Sequence, residues 1–105
     1  MKEQQVQITT EAEAFRELAK RVVKTKKITG LCALVEDMGD KDVIPYSLCW
    51  DMHDRIDAHM NSLPFEEKWR NGWGGEFLDV PGRRSVRVLA ALMLAEEAEL
   101  EAQLQ

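Results

Sequence analysis

Cys49, His53 and Asp57 follow one another at intervals of four residues, so a helix carrying them offers a thiol, an imidazole and a carboxylate along one side. Those groups could bind zinc or set a nucleophile beside a base. A protein zinc site needs further ligands from another segment, and the other Cys and His of the chain, Cys32 and His59, show no ligand spacing. No metal and no catalytic residue is therefore expected here. His59 falls within the apolar stripe near Met52 and Ile56 and reads as a hydrogen-bonded core histidine. Asp51, Asp54 and Asp57 form an acidic ridge on the same helix, which reads as a solvated face, with Arg55 one turn from Asp51 and able to pair with it.

A second cluster is Arg83, Arg84 and Arg87, which place positive charge at the start of an apolar helix while Glu96, Glu97, Glu99 and Glu101 place negative charge at its end. Both oppose the helix dipole, at about 0.3–1 kcal/mol per exposed charge, so something should compensate. One answer is internal pairing with Glu66, Glu67, Glu76 or Asp79. The other is a phosphate, nucleotide or acidic partner bound where arginines and free helix amides converge.

Between these clusters lies the stretch 63–84, LPFEEKWRNGWGGEFLDVPGRR, which holds two of the three Trp and four of the six Gly. Trp69 and Trp73 are one helical turn apart, with Arg70 between them and Gly74-Gly75 beyond. Trp with Arg and flexible glycines suits an interface hot spot or a base-stacking pocket; in a small domain the same tryptophans also serve as a lid on the core. Trp50, Tyr46 and Phe77 read as packing residues. No P-loop, GxGxxG, HExxH, GxSxG or CxxC pattern occurs, which lowers the expectation of an enzyme.

The elements that must position these residues are helical. Residues 1–9, polar apart from Val6 and Ile8, are expected to form an extended arm, with a short edge strand as the alternative. Thr10 and Glu13 make a capping-box pair opening a helix over 10–26, with Ala14, Phe15, Leu18, Ala19 and Val22 on its apolar side. The basic end of that helix, with Lys20, Arg21, Lys24, Lys26 and Lys27, complements the dipole or grips phosphate. Leu31, Leu34, Val35 and Met38 define a second, short helix that Gly39 can end, with Cys32 beside the stripe. Pro45 opens a third, with a buried stripe of Leu48, Met52, Ile56, Met60 and Leu63. The fourth, apolar nearly all round from 86 to 95, is expected at the centre of the domain. Its acidic tail, 96–105, keeps a narrow seam of Met93, Leu100 and Leu104 for the first helix or for a second copy. The prediction is one domain, 1–105: a compact all-α bundle of about four helices with a Trp/Gly-rich loop, in which a short β-hairpin at 73–80 is the alternative.

The chain has 105 residues, 45% hydrophobic and 31% charged, with a net charge of -5. That is enough for one modest core. The acidic balance disfavours nucleic acid or an anionic membrane as partner and leaves room for a basic protein. The longest apolar run, 88–95, is far short of the roughly 20 residues of a membrane span, and the first residues have no apolar leader core, so a cytoplasmic protein is expected. Two cysteines far apart in apolar segments suit reduced thiols.

The order ITGLCALVEDM, then WDMHDRI within a helix, then KWRNGWGGEF, then PGRRSVRVLAALM resembles small proteins encoded by tailed bacteriophages and prophages, over roughly residues 28–95. The chain departs from them in having no Trp-Pro pair. The resemblance implies a non-enzymatic accessory protein that binds and modulates a host protein, as an inhibitor or anti-defence factor, in the host cytoplasm. The binding surface expected is Trp69, Arg70, Trp73, Arg83, Arg84 and Arg87, with no cofactor and with a homodimer as an option. The alternative is a protein that binds or sequesters a nucleotide or phosphate ligand with the same arginines and a stacking Trp. An enzyme centred on Cys49 and His53 is the third reading.

Overall fold

The computed structural model describes residues 7–25, 30–62 and 83–104, the last of these with side chains from 87 onward. Four helices fill those segments: α1, Glu11–Lys24; α2, Leu31–Asp40; α3, Tyr46–Asn61; and α4, Arg83–Leu104. With no strand among the described residues, the architecture is the predicted all-α bundle. The proposed hairpin at 73–80 lies outside the described residues, as do Leu63 and Phe77.

α1 begins as its sequence dictates. The Thr10 hydroxyl accepts from the Glu13 amide at 3.3 Å, and acidic residues in the first turn with basic ones in the last follow the dipole. Its inward side, Ala14, Phe15, Leu18, Ala19 and Val22, is buried. Ahead of it, the Ile8 amide donates to Val43 O at 2.9 Å, which ties the end of the arm to the α2–α3 connection.

α2 does not stop at Gly39. It runs to Asp40 and closes in a Schellman motif, in which the Val43 amide donates to Met38 O at 2.9 Å and the Asp42 amide to Gly39 O at 3.1 Å. The left-handed position falls on Asp42, at φ 60°. Gly39 serves a different purpose: a Cβ there would lie 2.5 Å from Cys49 Sγ, so the missing side chain lets α2 and α3 approach closely. Pro45 caps α3, its carbonyl accepting from the Leu48 and Cys49 amides.

The central element is α1, not α4 as expected, for α1 packs against each of the other three helices and most extensively against α4. The expected seam of Met93, Leu100 and Leu104 is not what packs on it. The inward side of α4 is Ala90, Ala91, Leu94, Ala95 and Ala98, whose small side chains let two helices lie close, while Leu89, Leu92, Met93, Leu100 and Leu104 are exposed. The core is completed by Leu31, Leu34, Val35 and Met38 of α2, Ile44, and Leu48, Cys49, Met52, Ile56 and Met60 of α3.

Candidate functional site

Glu36 and Asp40 stand one turn apart on α2, and Tyr46, Trp50 and His53 occupy successive turns of α3. Between the two rows opens a cleft of about 330 Å³, lined by these five residues and Cys49. The aromatic wall belongs to the surface: Tyr46 is 65% exposed and Trp50 69%. This corrects the assignment of both to packing. Trp50 is two residues from both Leu48 and Met52, about 200° round the helix from the buried stripe, so the turn that buries the stripe presents Trp50 to solvent.

Three contacts fix the cleft's shape. The Tyr46 ring lies over Gly39, with Cε1 3.6 Å from where a Cβ would stand. Trp50 and His53 rings meet at 6.3 Å between centroids, tilted by 46°. Cys49, 6% exposed, closes the base, its Sγ donating to Val35 O at 3.8 Å.

The site is electronegative. Glu36 and Asp40 enter no ion pair with the described residues. Burial pushes the Cys49 thiol pKa up, and the charges of Asp40 and Glu36 push it further. The half-buried Cys32 is pushed up to about 11 by burial and by Asp57 and Glu36. Both thiols are free and held protonated, the opposite of what a nucleophile or metal ligand requires. Among the described residues no three His, Cys, Asp or Glu converge as metal ligands. Of the remaining residues weighed for chemistry, His53 and His59 are half-buried and Asp57 is exposed.

Two other depressions differ in kind. One is lined by Arg21 and Lys24 with Glu17 and Asp37, the other by Arg55 with Glu11 and Glu101, and in both the arginine is already ion-paired to those carboxylates. Arg55 does not pair with Asp51. Its Nη2 reaches Glu11 Oε2 of α1 at 2.8 Å, and its Nη1 reaches Glu97 Oε1 and Glu101 Oε2 of α4 at 2.7 and 2.8 Å. Carboxylates from two other helices win because they complete the guanidinium's fork. These bonds raise the Arg55 pKa and lower that of Glu101.

Of the residues singled out from sequence as a binding surface, Trp69, Arg70 and Trp73 lie outside the described residues. Arg83 and Arg84 open α4, and their side chains are not described. Arg87 is 1% exposed on the inward side of α4 and is engaged there rather than free. Comparison with protein-family models, with curated proteins and with solved structures finds no match to this chain. No helix among the described residues is long and apolar enough to cross a membrane.

Proposed function

We propose that this protein is a non-enzymatic accessory module that binds a partner protein and modulates it, docking through the α2–α3 face. The observation that carries the reading is the cleft itself: two large aromatic side chains held outward on a rigid helix, beside carboxylates that nothing within the described bundle neutralises. Exposed Trp and Tyr on a preformed surface are the residues on which binding energy concentrates. The acidic rim and the net charge of -5 select a partner with a basic surface and repel nucleic acid. The order of motifs, similar to that of small phage-encoded proteins, supports a host protein as the partner, inhibited or redirected by being bound.

The test is capture from bacterial lysate by the wild-type protein and by Trp50→Ala, with a second pair of variants, Trp73→Ala and Arg84→Gln. The proposal expects one stoichiometric protein, released by salt and lost with Trp50→Ala at an unchanged melting temperature. If Trp73→Ala and Arg84→Gln abolish capture while Trp50→Ala does not, the docking surface lies in the Trp/Arg segment instead. A retained nucleotide with no protein would replace the proposal by the sequestering one.

A further inference from the structure

The chemistry of the cleft is more specific than a sticky surface. Its α2 wall presents two carboxylates one turn apart, about 5–6 Å between Cβ atoms, and its α3 wall presents the faces or edges of Tyr46, Trp50 and His53. Among the described residues, no lysine or arginine lines it. A cation placed there meets carboxylates on one side and aromatic quadrupoles on the other, and both attract it.

We infer that the α2–α3 cleft is a receptor for one arginine side chain on a basic segment of the partner. The inference rests on the docking function proposed above and names the occupant. Guanidinium fits better than ammonium for three reasons. It is planar and stacks on an aromatic ring, it is weakly hydrated and so is cheaply withdrawn from water, and its fork can reach two acceptors at once. The two carboxylates supply those acceptors, and exposed Trp50 supplies the ring. A neutral donor gains from Glu36 and Asp40 only hydrogen bonds without charge assistance, and an anion is repelled. The raised thiol pKa values of Cys49 and Cys32, each due in part to Glu36, are consistent with the negative potential that a guanidinium would relieve.

The experiment uses the full chain and three blocked tripeptides, Gly-Arg-Gly, Gly-Lys-Gly and Gly-citrulline-Gly, the last matching arginine in shape without its charge. Binding is followed by NMR at the Trp50 indole N–H, assigned by its disappearance in Trp50→Phe. Saturable shifts with the arginine peptide are expected, at least tenfold tighter than with citrulline and tighter than with lysine, and weakened by added salt. Glu36→Gln combined with Asp40→Asn should erase the difference between arginine and citrulline. Trp50→Ala, followed through the Gly39 amide, should weaken arginine binding about tenfold while the melting temperature holds. Equal binding of arginine and citrulline, or arginine binding that leaves the Trp50 indole unmoved, overturns the inference, and tighter binding of lysine overturns the guanidinium assignment. The two proposals fail separately. If Trp50→Ala releases a captured protein but the arginine peptide does not bind, docking stands and the arginine pocket falls. An arginine peptide that binds while no protein is captured leaves the pocket standing and removes the accessory role.

Discussion

Replacing Gly39 by Ala asks whether one contact sets the α2–α3 crossing. The new Cβ would lie 2.5 Å from Cys49 Sγ, about 1–1.5 Å inside the roughly 3.5–4.0 Å of favourable contact. The thiol has little freedom to withdraw, since Cys49 is 6% exposed and its Sγ is directed to Val35 O. Overpacking of this kind costs roughly 1–3 kcal/mol, while a helical Gly→Ala change gives back up to about 1 kcal/mol. The net expectation is a loss of about 1–2 kcal/mol, at roughly 4–8 °C of melting temperature per kcal/mol for a domain of this size. Removing the obstacle should reverse the sign: in a Cys49→Ala background, Gly39→Ala should stabilise by up to about 1 kcal/mol. Urea unfolding of the wild type, both single variants and the double variant closes the cycle, with an expected coupling of about 2 kcal/mol. If Gly39→Ala has the same sign and size in both backgrounds, Sγ is not what Gly39 makes room for and the account of the crossing is wrong.

Arg55→Met should destabilise the bundle by about 1–2 kcal/mol, measured by urea unfolding, because it leaves Glu11, 19% exposed, without its partner at the α1–α3 contact; Arg55→Lys should recover only part of this, having lost the fork. Asp42→Gly should raise the melting temperature by about 4 °C, because relief of roughly 1–2 kcal/mol of left-handed backbone strain outweighs roughly 0.5–1 kcal/mol of added chain entropy, whereas Asp42→Val should lower it. On the alkaline side the protein should lose stability as pH rises past 9, the ordinary thiol value, because the unfolded thiols ionise while Cys32 holds its proton to about 11; Cys32→Ala should flatten the profile between those values in urea titrations at fixed pH. On the acid side the lowered pKa of Glu101 makes its contribution present above the usual carboxylate range and lost as pH falls through the lowered value, so a Glu101→Gln difference in melting temperature should vanish there.

Periodicity made the interior legible. The stripes of α1 and α2 and the run Leu48, Met52, Ile56, Met60 of α3 are buried as their 3.6-residue spacing requires, and the Thr10 cap stands where its capping-box partner placed it. What single helices could not reveal is what passes between them. A sequence shows intrahelical neighbours and so offers Asp51 to Arg55, yet the partners of Arg55 lie 44, 42 and 46 residues away. Gly39 looked like a helix terminator because the space it saves for Cys49 exists only once two helices cross. The cleft is within reach of the sequence, since Glu36 with Asp40 and Tyr46 with Trp50 and His53 have one-turn spacings; reading Tyr46 and Trp50 as packing residues hides it. The angular position of Trp50, opposite the stripe, was the overlooked signal.

The charge order of α4 shows how the bundle divides its work. Glutamates near a helix C-terminus oppose the dipole, and here arginines from the neighbours meet them: Arg55 of α3 takes Glu97 and Glu101, and Arg16 of α1 takes Glu99 at 2.8 Å. A feature unfavourable to α4 alone thereby becomes a set of cross-links holding α1, α3 and α4 together. Glu36, Asp40, Asp51, Asp54 and Asp57, by contrast, enter no ion pair with the described residues. The carboxylates that these arginines bind and the two that line the cleft, Glu36 and Asp40, are therefore different residues. Because Trp50, Glu36 and Asp40, unlike Cys49 at the base of the same cleft, are no part of the core, they can change without unfolding the chain, which is the condition the proposed docking surface must meet.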